Sequence, residues 1–240
     1  LPLHIKIISM KFLTSSHLKL LAIISMLVDH TAGMLLRGNE MMDYALLTIG
    51  DHRLTLYFMM KAFGRIAFPI FSFLIVEGFF HTRNKTNYGR NLFIFALLSE
   101  IPWNLIHGNS LLYPTQNVFF TLLLGYLGIY VVELFKNDSK RIAFLLVGLF
   151  IISIFLRADY GCRGFGFILL LYMLRSNKVI MSVVGACLLP STWIGGMAFI
   201  PISMYNGKRG FIQGPFWKYA FYAFYPTHIF LLWLIRQYVL

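Results

Sequence analysis

The run HLKLLAIISMLVDHTAGMLLRG, from His17 to Gly38, constrains the fold of this chain more than any other stretch. Its length and apolar character match those of an α-helix that crosses a membrane, which needs about 20 apolar residues. Asp29 and His30 nevertheless stand side by side two-thirds of the way along it. Because an ionisable side chain is costly in lipid, it usually faces the interior of a helix bundle and marks a functional site.

The composition extends this interpretation to the whole chain. Of the 240 residues, 58% are hydrophobic and only 12% are charged, whereas soluble domains are about 25% charged. We therefore predict an all-α, polytopic integral membrane bundle of eight to nine transmembrane helices around a polar cavity. A single domain is expected over residues 18–240, after an N-terminal cytoplasmic segment at 1–17.

The apolar runs define the expected spans. Seven of them are clear: 18–37, 56–80, 91–107, 117–135, 141–157, 161–175 and 217–238. The stretch 179–205 is ambiguous, because LPSTWIGG (Leu189–Gly196) interrupts it with a proline and two glycines. It is either one kinked helix or two short ones.

Loop charges predict the orientation, since cytoplasmic loops of membrane proteins are rich in Lys and Arg. Basic residues concentrate in the N-terminal segment and at 81–90, 136–141 and 175–178, which places the N-terminus in the cytoplasm. The intervening loop 38–55 is acidic on balance, and 108–116 has no Lys or Arg. YNGKRG at 205–210 is cytoplasmic only if 179–205 crosses twice, which favours nine spans.

The net charge of +12 is explained by these loops, so no nucleic-acid partner is predicted. The same charge is expected to attract polyanions, including a phosphorylated cofactor. The two cysteines, Cys162 and Cys187, lack ligand spacing, and no metal site is predicted.

Ionisable residues inside the apolar runs are the candidates for a site. Those considered are Asp29, His30, Arg65, Glu77, Glu100 and His228. At 1.5 Å of rise per residue, four of them lie near mid-depth or above it and are able to converge: His30, Arg65, Glu100 and His228. Glu77 lies near the cytoplasmic end, where a solvated helix end with His81 is the favoured interpretation.

Several of the deeper residues are compatible with more than one role. Asp29 is expected to pair with a cation on another helix, and Arg65 forms either an ion pair or part of the site. His228, two residues after Pro226, is either a second acid–base group or bonded to the helix backbone. Glu100, Asn104 and His107 form a helical stripe that either lines the cavity or joins helices by hydrogen bonds.

Lys19 and His30 are eleven residues apart, which is three helical turns, so they lie on one helix face about 16 Å apart. A cation at the cytoplasmic mouth is thereby aligned with an imidazole deep in the bundle. A long polyanionic cofactor would place its phosphates at the first and its reactive end at the second.

Long segments of the chain resemble one known family in order. They are LKLLAIISMLVDH, GRIAFPIFSFLIVEGFFHTRN, ALLSEIPWNL, NVFFTLLLGYLGIY, RADYGCRGFG, YNGKRG and FYAFYPTHIFLLWLI. They resemble the TraX family, which is named for an acetylase of the N-terminus of F-type conjugative pilin. A basic residue, ten residues and then His (Lys19 to His30) also resembles the motif of wider transmembrane acetyltransferases, such as acyltransferase family 3 and heparan-glucosaminide acetyltransferases.

The resemblance implies an acetyl-CoA-dependent N- or O-acetyltransferase in the bacterial inner membrane, acting on a peptide, protein or glycan acceptor. The catalytic set is then His30 as general base with Asp29, Arg65 at the oxyanion and His228. The cofactor phosphates are assigned to Lys19, Glu77, Arg83, Lys85, Asn206, Lys208 and Arg209. The acceptor is assigned to Glu100, Asn117, Asp159 and Tyr160. A transporter or a non-catalytic membrane scaffold is the rival class, since buried charges and broken helices occur there too.

Overall fold

The computed structural model of the chain describes residues 11–38, 40–49, 52–189 and 193–239. Most of the expected segment 1–17, and the centre of the break at 189–196, lie outside the described residues. The described residues are mostly helical, which confirms the all-α class.

The helices follow one another along the chain with short connections. They are α1 (Ser15–Thr31), α2 (Leu56–Gly64), α3 (Ala67–His81), α4 (Lys85–Gly108), α5 (Val118–Leu134), α6 (Ser139–Phe155), α7 (Gly161–Met173), α8 (Lys178–Cys187), α9 (Trp193–Gly196), α10 (Phe199–Ser203) and α11 (Pro215–Tyr238). A π-helical turn, Ala32–Leu36, continues α1, and a 3-10 turn spans Glu40–Asp43. Strands β1 (Ala45–Ile49) and β2 (His52–Thr55) form an antiparallel hairpin in the expected loop 38–55, with Thr48 opposite Arg53.

The predicted span 56–80 is interrupted rather than continuous. Helix α2 ends at Gly64, and α3 starts at Ala67 after the turn at Arg65 and Ile66. Pro69 explains the interruption, because it has no N–H to donate to the carbonyl of Arg65 and its ring crowds that carbonyl. Arg65 lies in this turn, and its side chain is exposed.

Two helical segments of the described residues are long and apolar enough to cross a membrane by length and composition: Ser15–Leu36 and Leu56–His81. Helices α4 and α11 have 24 residues each, which gives about 36 Å of length at 1.5 Å per residue. α7 and α8, with 13 and 10 residues, are much shorter.

Basic segments that are distant in sequence meet at one end of the bundle. We call this end, formed by the start of α1, Lys178 and residues 205–209, the basic end. The N–H groups of Ser15 and Ser16 donate to the carbonyls of Lys208 (2.9 Å) and Arg209 (3.0 Å). Lys178 Nζ, at the start of α8, donates to the Tyr205 carbonyl, just after α10, at 3.3 Å. The chain therefore leaves the basic end along α8 and returns to it at the end of α10. The described parts of the interrupted stretch 179–205 therefore form a helical hairpin rather than one kinked helix.

Candidate functional site

A polar cavity of about 550 Å³ lies at the opposite end of the bundle from the basic end. Its walls come from the C-terminal part of α1 and its π-helical turn, from α2 and the start of α3, from the C-terminal half of α4, and from the α6–α7 connection with the start of α7. Two of the predicted catalytic residues on α1, Asp29 and His30, line it together with Arg65.

His30 and His228 form a hydrogen-bonded pair between α1 and α11. The Nδ1 atom of His30 lies 2.7 Å from Nε2 of His228. The rings are coplanar within 5° and their centroids are 5.0 Å apart, so they meet edge to edge along the hydrogen bond. The sequence left open whether His228 is an acid–base partner or bonded to its own helix, and the structure shows both contacts. Its Nδ1 lies 2.8 Å from the Phe224 carbonyl.

This geometry determines which nitrogen of His30 is available for chemistry. A carbonyl only accepts, so Nδ1 of His228 carries the proton and donates to Phe224. In a neutral ring Nε2 of His228 is then an acceptor, and His30 Nδ1–H donates to it. The remaining nitrogen of His30, Nε2, keeps its lone pair. A histidine held in one tautomer by a partner behind it is the arrangement of a general base.

Asp29 pairs with a cation on another helix, as its position beside His30 predicted. Lys61 Nζ on α2 lies 2.8 Å from Asp29 Oδ2, and both side chains are partly buried. Lys61 also lies close enough to His30 to act on it electrostatically. The cation that pairs with Asp29 is thus Lys61, whereas Arg65 acts on Asp159.

A close approach of α2 to α1 makes the Asp29–Lys61 pair possible. Ser25 Oγ, which is buried, donates to the carbonyls of Phe63 (2.8 Å) and Gly64 (3.2 Å) at the end of α2. Gly64 faces Asp29 so closely that an added Cβ would overlap the Asp29 side chain. A glycine at this position therefore sets the spacing of the two helices.

Gly64→Ala is accordingly expected to displace Asp29 and separate it from Lys61, with a loss of about 1–3 kcal/mol of stability from overpacking. Thermal unfolding of the purified protein, followed by circular dichroism, measures this. Gly148→Ala is the matched control, because an added Cβ there meets no atom within 4 Å. Equal unfolding temperatures for the two variants would contradict this account of the α1–α2 contact.

The α6–α7 connection contributes the predicted acceptor residues Asp159 and Tyr160, and both line the cavity. The Asp159 N–H donates to the Gln116 carbonyl at 2.9 Å, which fixes the connection against the loop before α5. The Tyr160 ring stacks on Phe68, with centroids 3.6 Å apart and planes within 5°.

Enclosure by the cavity walls raises the pKa of Asp159 to about 6. The negative charge of Asp29 raises this pKa further, whereas Lys61 and Arg65 lower it. Asp159 therefore changes its charge close to neutral pH, in a connection that lies outside the helical segments.

Glu100 and Asn117, the other two predicted acceptor residues, are not among the residues that line the cavity. The backbone N–H and the side-chain amide of Asn117 both donate to Glu100 Oε1. Asn117 also caps α5 through the Phe119 N–H (3.0 Å) and donates to the Ala96 carbonyl (2.8 Å). The structure thus shows these two residues joining α4 to α5 outside the lining of this cavity.

The predicted cofactor residues lie away from the cavity. Lys19 and Arg209 are close enough at the basic end to repel each other, and Lys208 is next in the same turn. Asn206 uses its side chain inside this turn, where Oδ1 accepts from the Lys208 N–H at 2.8 Å.

The other three predicted cofactor residues are distributed around α3 and α4. Glu77 was expected at a solvated helix end. It is buried instead, and Arg175 Nε lies 2.7 Å from its Oε1, so its carboxylate is neutralised within the protein. Lys85 lies over the Phe79 ring at 4.9 Å, and Arg83 is exposed.

Four ionisable residues that the sequence patterns did not assign also line the cavity: Arg37, Lys61, His107 and Arg163. Lys61 and Arg163 lie within predicted spans, so the criterion that selected His30 applied to them equally. His107 was considered within the α4 stripe, and its Nδ1 donates to the Trp103 carbonyl at 2.9 Å. Arg37 stands at the end of its apolar run and gave no comparable signal.

Comparison with known proteins matches the chain to one family model and to a relative that it covers over most of its length. The sequence model of the family described as TraX protein matches residues 14–236. A relative named probable fimbrial assembly protein FimC, serogroup H1, from Dichelobacter nodosus is 30% identical over 245 residues, covering 90% of this chain and 92% of the relative. No solved structure matches the chain.

Proposed function

The chain belongs to the TraX family, and from this premise we propose that it is a membrane-embedded acetyltransferase that moves an acetyl group from acetyl-CoA to an amine or hydroxyl acceptor. The observation that carries the proposal is the His30–His228 hydrogen bond at the edge of a polar cavity. The relative is named for fimbrial assembly, which favours a peptide or protein acceptor over a glycan.

The proposed location is the inner membrane of a bacterium, with the basic end in the cytoplasm. Large apolar side chains are exposed on the outer surfaces of several helices, such as Phe144 (78%) and Phe155 (80%) on α6 and Ile101 (55%) on α4. Exposed apolar surface of this extent is typical of contact with lipid or another protein. The hairpin formed by α8, α9 and α10 returns the chain to the basic end, which favours nine crossings over eight.

In the proposed reaction, Nε2 of His30 takes the proton of the acceptor as the acceptor nitrogen or oxygen attacks the thioester carbonyl carbon. The tetrahedral intermediate collapses with cleavage of the C–S bond, and the protonated His30 returns the proton to the sulfur. The products are the acetylated acceptor and CoA with a free thiol. His228 stabilises the charged His30 by accepting the hydrogen bond from Nδ1.

Two groups near His30 are suited to the negative charge that develops on the carbonyl oxygen. Lys61 acts electrostatically on the imidazole. The Tyr225 hydroxyl is buried without a hydrogen-bond partner among the described residues, and its ring meets the His30 ring edge-on at 5.9 Å between centroids. Preorganised donors of this kind are typically worth about 3–4 kcal/mol in the transition state. This proposal moves the oxyanion role from Arg65 to Lys61 and Tyr225.

The donor phosphates are proposed to bind at the basic end, about 16 Å from His30 along α1. The proximity of Lys19 and Arg209 supports this placement, because an anion between two like charges relieves their repulsion.

The experiment that tests the function incubates the purified chain with radiolabelled acetyl-CoA and an amine-bearing peptide. Label in the peptide is the expected result. Lys19→Glu is expected to raise the KM for acetyl-CoA about tenfold with little change in kcat, because a charge-assisted contact to phosphate is worth roughly 1.5–3 kcal/mol.

The matched control is Lys140→Glu, which reverses an exposed charge at the start of α6. It is expected to leave this KM within about twofold, as distant exposed charges are screened over roughly 8 Å at physiological salt. An unchanged KM in Lys19→Glu would place the phosphates elsewhere. No label in any acceptor and no CoA binding would reject the acetyltransferase function.

A further inference from the structure

The cavity beside His30 carries more positive charge than the proposed chemistry uses. Its lining includes four cationic side chains, of Arg37, Lys61, Arg65 and Arg163, and two carboxylates, Asp29 and Asp159. Lys61 forms an ion pair with Asp29 at 2.8 Å, and the proposed reaction already assigns it to the oxyanion. At neutral pH the three arginines therefore face a single carboxylate, and the cavity has an excess of positive charge.

Two of these arginines reach the cavity from different parts of the chain. Arg65 lies in the turn that Pro69 forces between α2 and α3, and Arg163 lies in the first turn of α7. Both side chains are exposed to the cavity, and neither has a carboxylate within 4.0 Å among the described residues. Asp159 acts on Arg65 only at longer range.

A guanidinium group binds oxyanions such as phosphate and carboxylate through parallel N–H donors, and arginine is the preferred residue where such a group is recognised. The donor phosphates have a separate proposed site at the basic end, beyond the other end of α1. We infer that Arg65 and Arg163 bind an oxyanion group, phosphate or carboxylate, on the acceptor, and that this contact orients the acceptor's amine or hydroxyl toward His30. This inference rests on the proposed function for the identity of the bound molecule.

The test compares small amines that differ only in the oxyanion. The probes are O-phosphoethanolamine and β-alanine, which carry a phosphate and a carboxylate, with ethanolamine as the matched amine without an oxyanion. Trp103 lines the cavity, so binding to the purified full chain in detergent is followed by tryptophan fluorescence. Each titration is run without CoA and again with saturating CoA, which occupies the donor site.

Binding of at least one oxyanion probe, and at least tenfold weaker binding of ethanolamine, is the expected result. The stronger of the two probes identifies the phosphate or the carboxylate as the preferred group. The double variant Arg65→Gln, Arg163→Gln is expected to weaken the preferred probe at least tenfold. Arg157→Gln, in the same α6–α7 connection but outside the cavity lining, is the matched control and is expected to bind like the parent.

A pH titration gives an independent readout. Asp159 lies near the charges of Asp29, Lys61 and Arg65, and its pKa is raised to about 6. Protonation of this carboxyl removes a negative charge that faces the arginines, so β-alanine is expected to bind more tightly as the pH falls from 7.5 to 5.5. His30 and His107 also line the cavity and can contribute to the pH dependence of binding. The variant Asp159→Asn separates the two contributions, because it should lose only the part of the pH dependence that comes from Asp159.

Three results would overturn the inference. They are equal binding of ethanolamine and the oxyanion probes, unchanged binding in the double arginine variant, and displacement of the oxyanion probe by CoA, which would assign these arginines to the donor. All of these measurements are made without turnover. A failure of the acetyltransferase proposal would appear instead as absent acetyl transfer with oxyanion binding intact.

Discussion

Replacing His30 with alanine is expected to lower kcat for acetyl transfer by about 10²–10⁴-fold, the usual contribution of a general base. The reason is that Nε2 of His30 is the nitrogen left unprotonated by the chain of hydrogen bonds through His228 to the Phe224 carbonyl. Affinity for CoA should remain within about twofold, since the proposed phosphate site lies at the other end of α1. Steady-state kinetics with radiolabelled acetyl-CoA and calorimetry with CoA measure the two quantities.

His107→Ala is the matched control for this prediction. His107 is a second imidazole in the wall of the same cavity, but its Nδ1 is bonded to the Trp103 carbonyl and it has no hydrogen bond to His228 in the described structure. Its replacement should lower kcat far less than that of His30. Both variants should elute from size-exclusion chromatography as the parent does. Normal turnover in a well-folded His30→Ala protein would show that the base has been assigned to the wrong residue.

The second large effect is expected at His228, which positions His30 instead of contacting the substrate. His228→Phe removes the acceptor for the Nδ1–H of His30, so that the ring is free to adopt the other tautomer and to turn. A loss of about 10²-fold or more in kcat is expected, since loss of the orienting partner in a catalytic triad has an effect of about 10⁴. The KM for acetyl-CoA should change little.

Rescue by a conservative substitution distinguishes positioning from packing. His228→Gln retains a side-chain oxygen that can accept from the Nδ1–H of His30, and it should recover at least tenfold of the activity lost in His228→Phe. The pH profile gives a second measure, because the phenylalanine variant removes the group that stabilises charged His30. The acidic limb of kcat/KM, which reports deprotonation of the base, should therefore move to lower pH. Equal activity in the glutamine and phenylalanine variants would contradict the positioning role.

The sequence predicted correctly those features that depend on the pattern of residues along a single helix. The apolar runs predicted the helices closely, and the helical rise placed His30, Arg65 and His228 at similar depth. The prediction for Asp29 was also confirmed, because an acid beside an imidazole on one helix points about 100° away from it and needs a partner on another helix. The ordered motifs identified the TraX family, which the family comparison confirms.

The sequence was less informative about contacts between segments that are distant along the chain. Glu100 and Asn117 were assigned to the acceptor, and the structure adds hydrogen bonds through which they join α4 to α5. Glu77 was expected near solvent, but Arg175, which is 98 residues away in sequence, buries and neutralises it. A residue type at a given depth is compatible with either outcome, since the pattern of one helix contains no information on what the neighbouring helices place against it.

What the sequence determined by itself is therefore the helical character of the chain, its family and the presence of an ionisable residue deep in α1, because these depend on hydrophobic period and local order along the chain. The tertiary structure alone decided that His30 meets His228, that Lys61 is the cation that pairs with Asp29, and that three arginines from distant segments line one cavity. These contacts depend on how closely the helices approach each other. Gly64 allows α2 to lie close to α1, and the break before Pro69 changes the path of the chain between α2 and α3. Helix packing is a property of pairs of surfaces, and no single stretch of sequence specifies it.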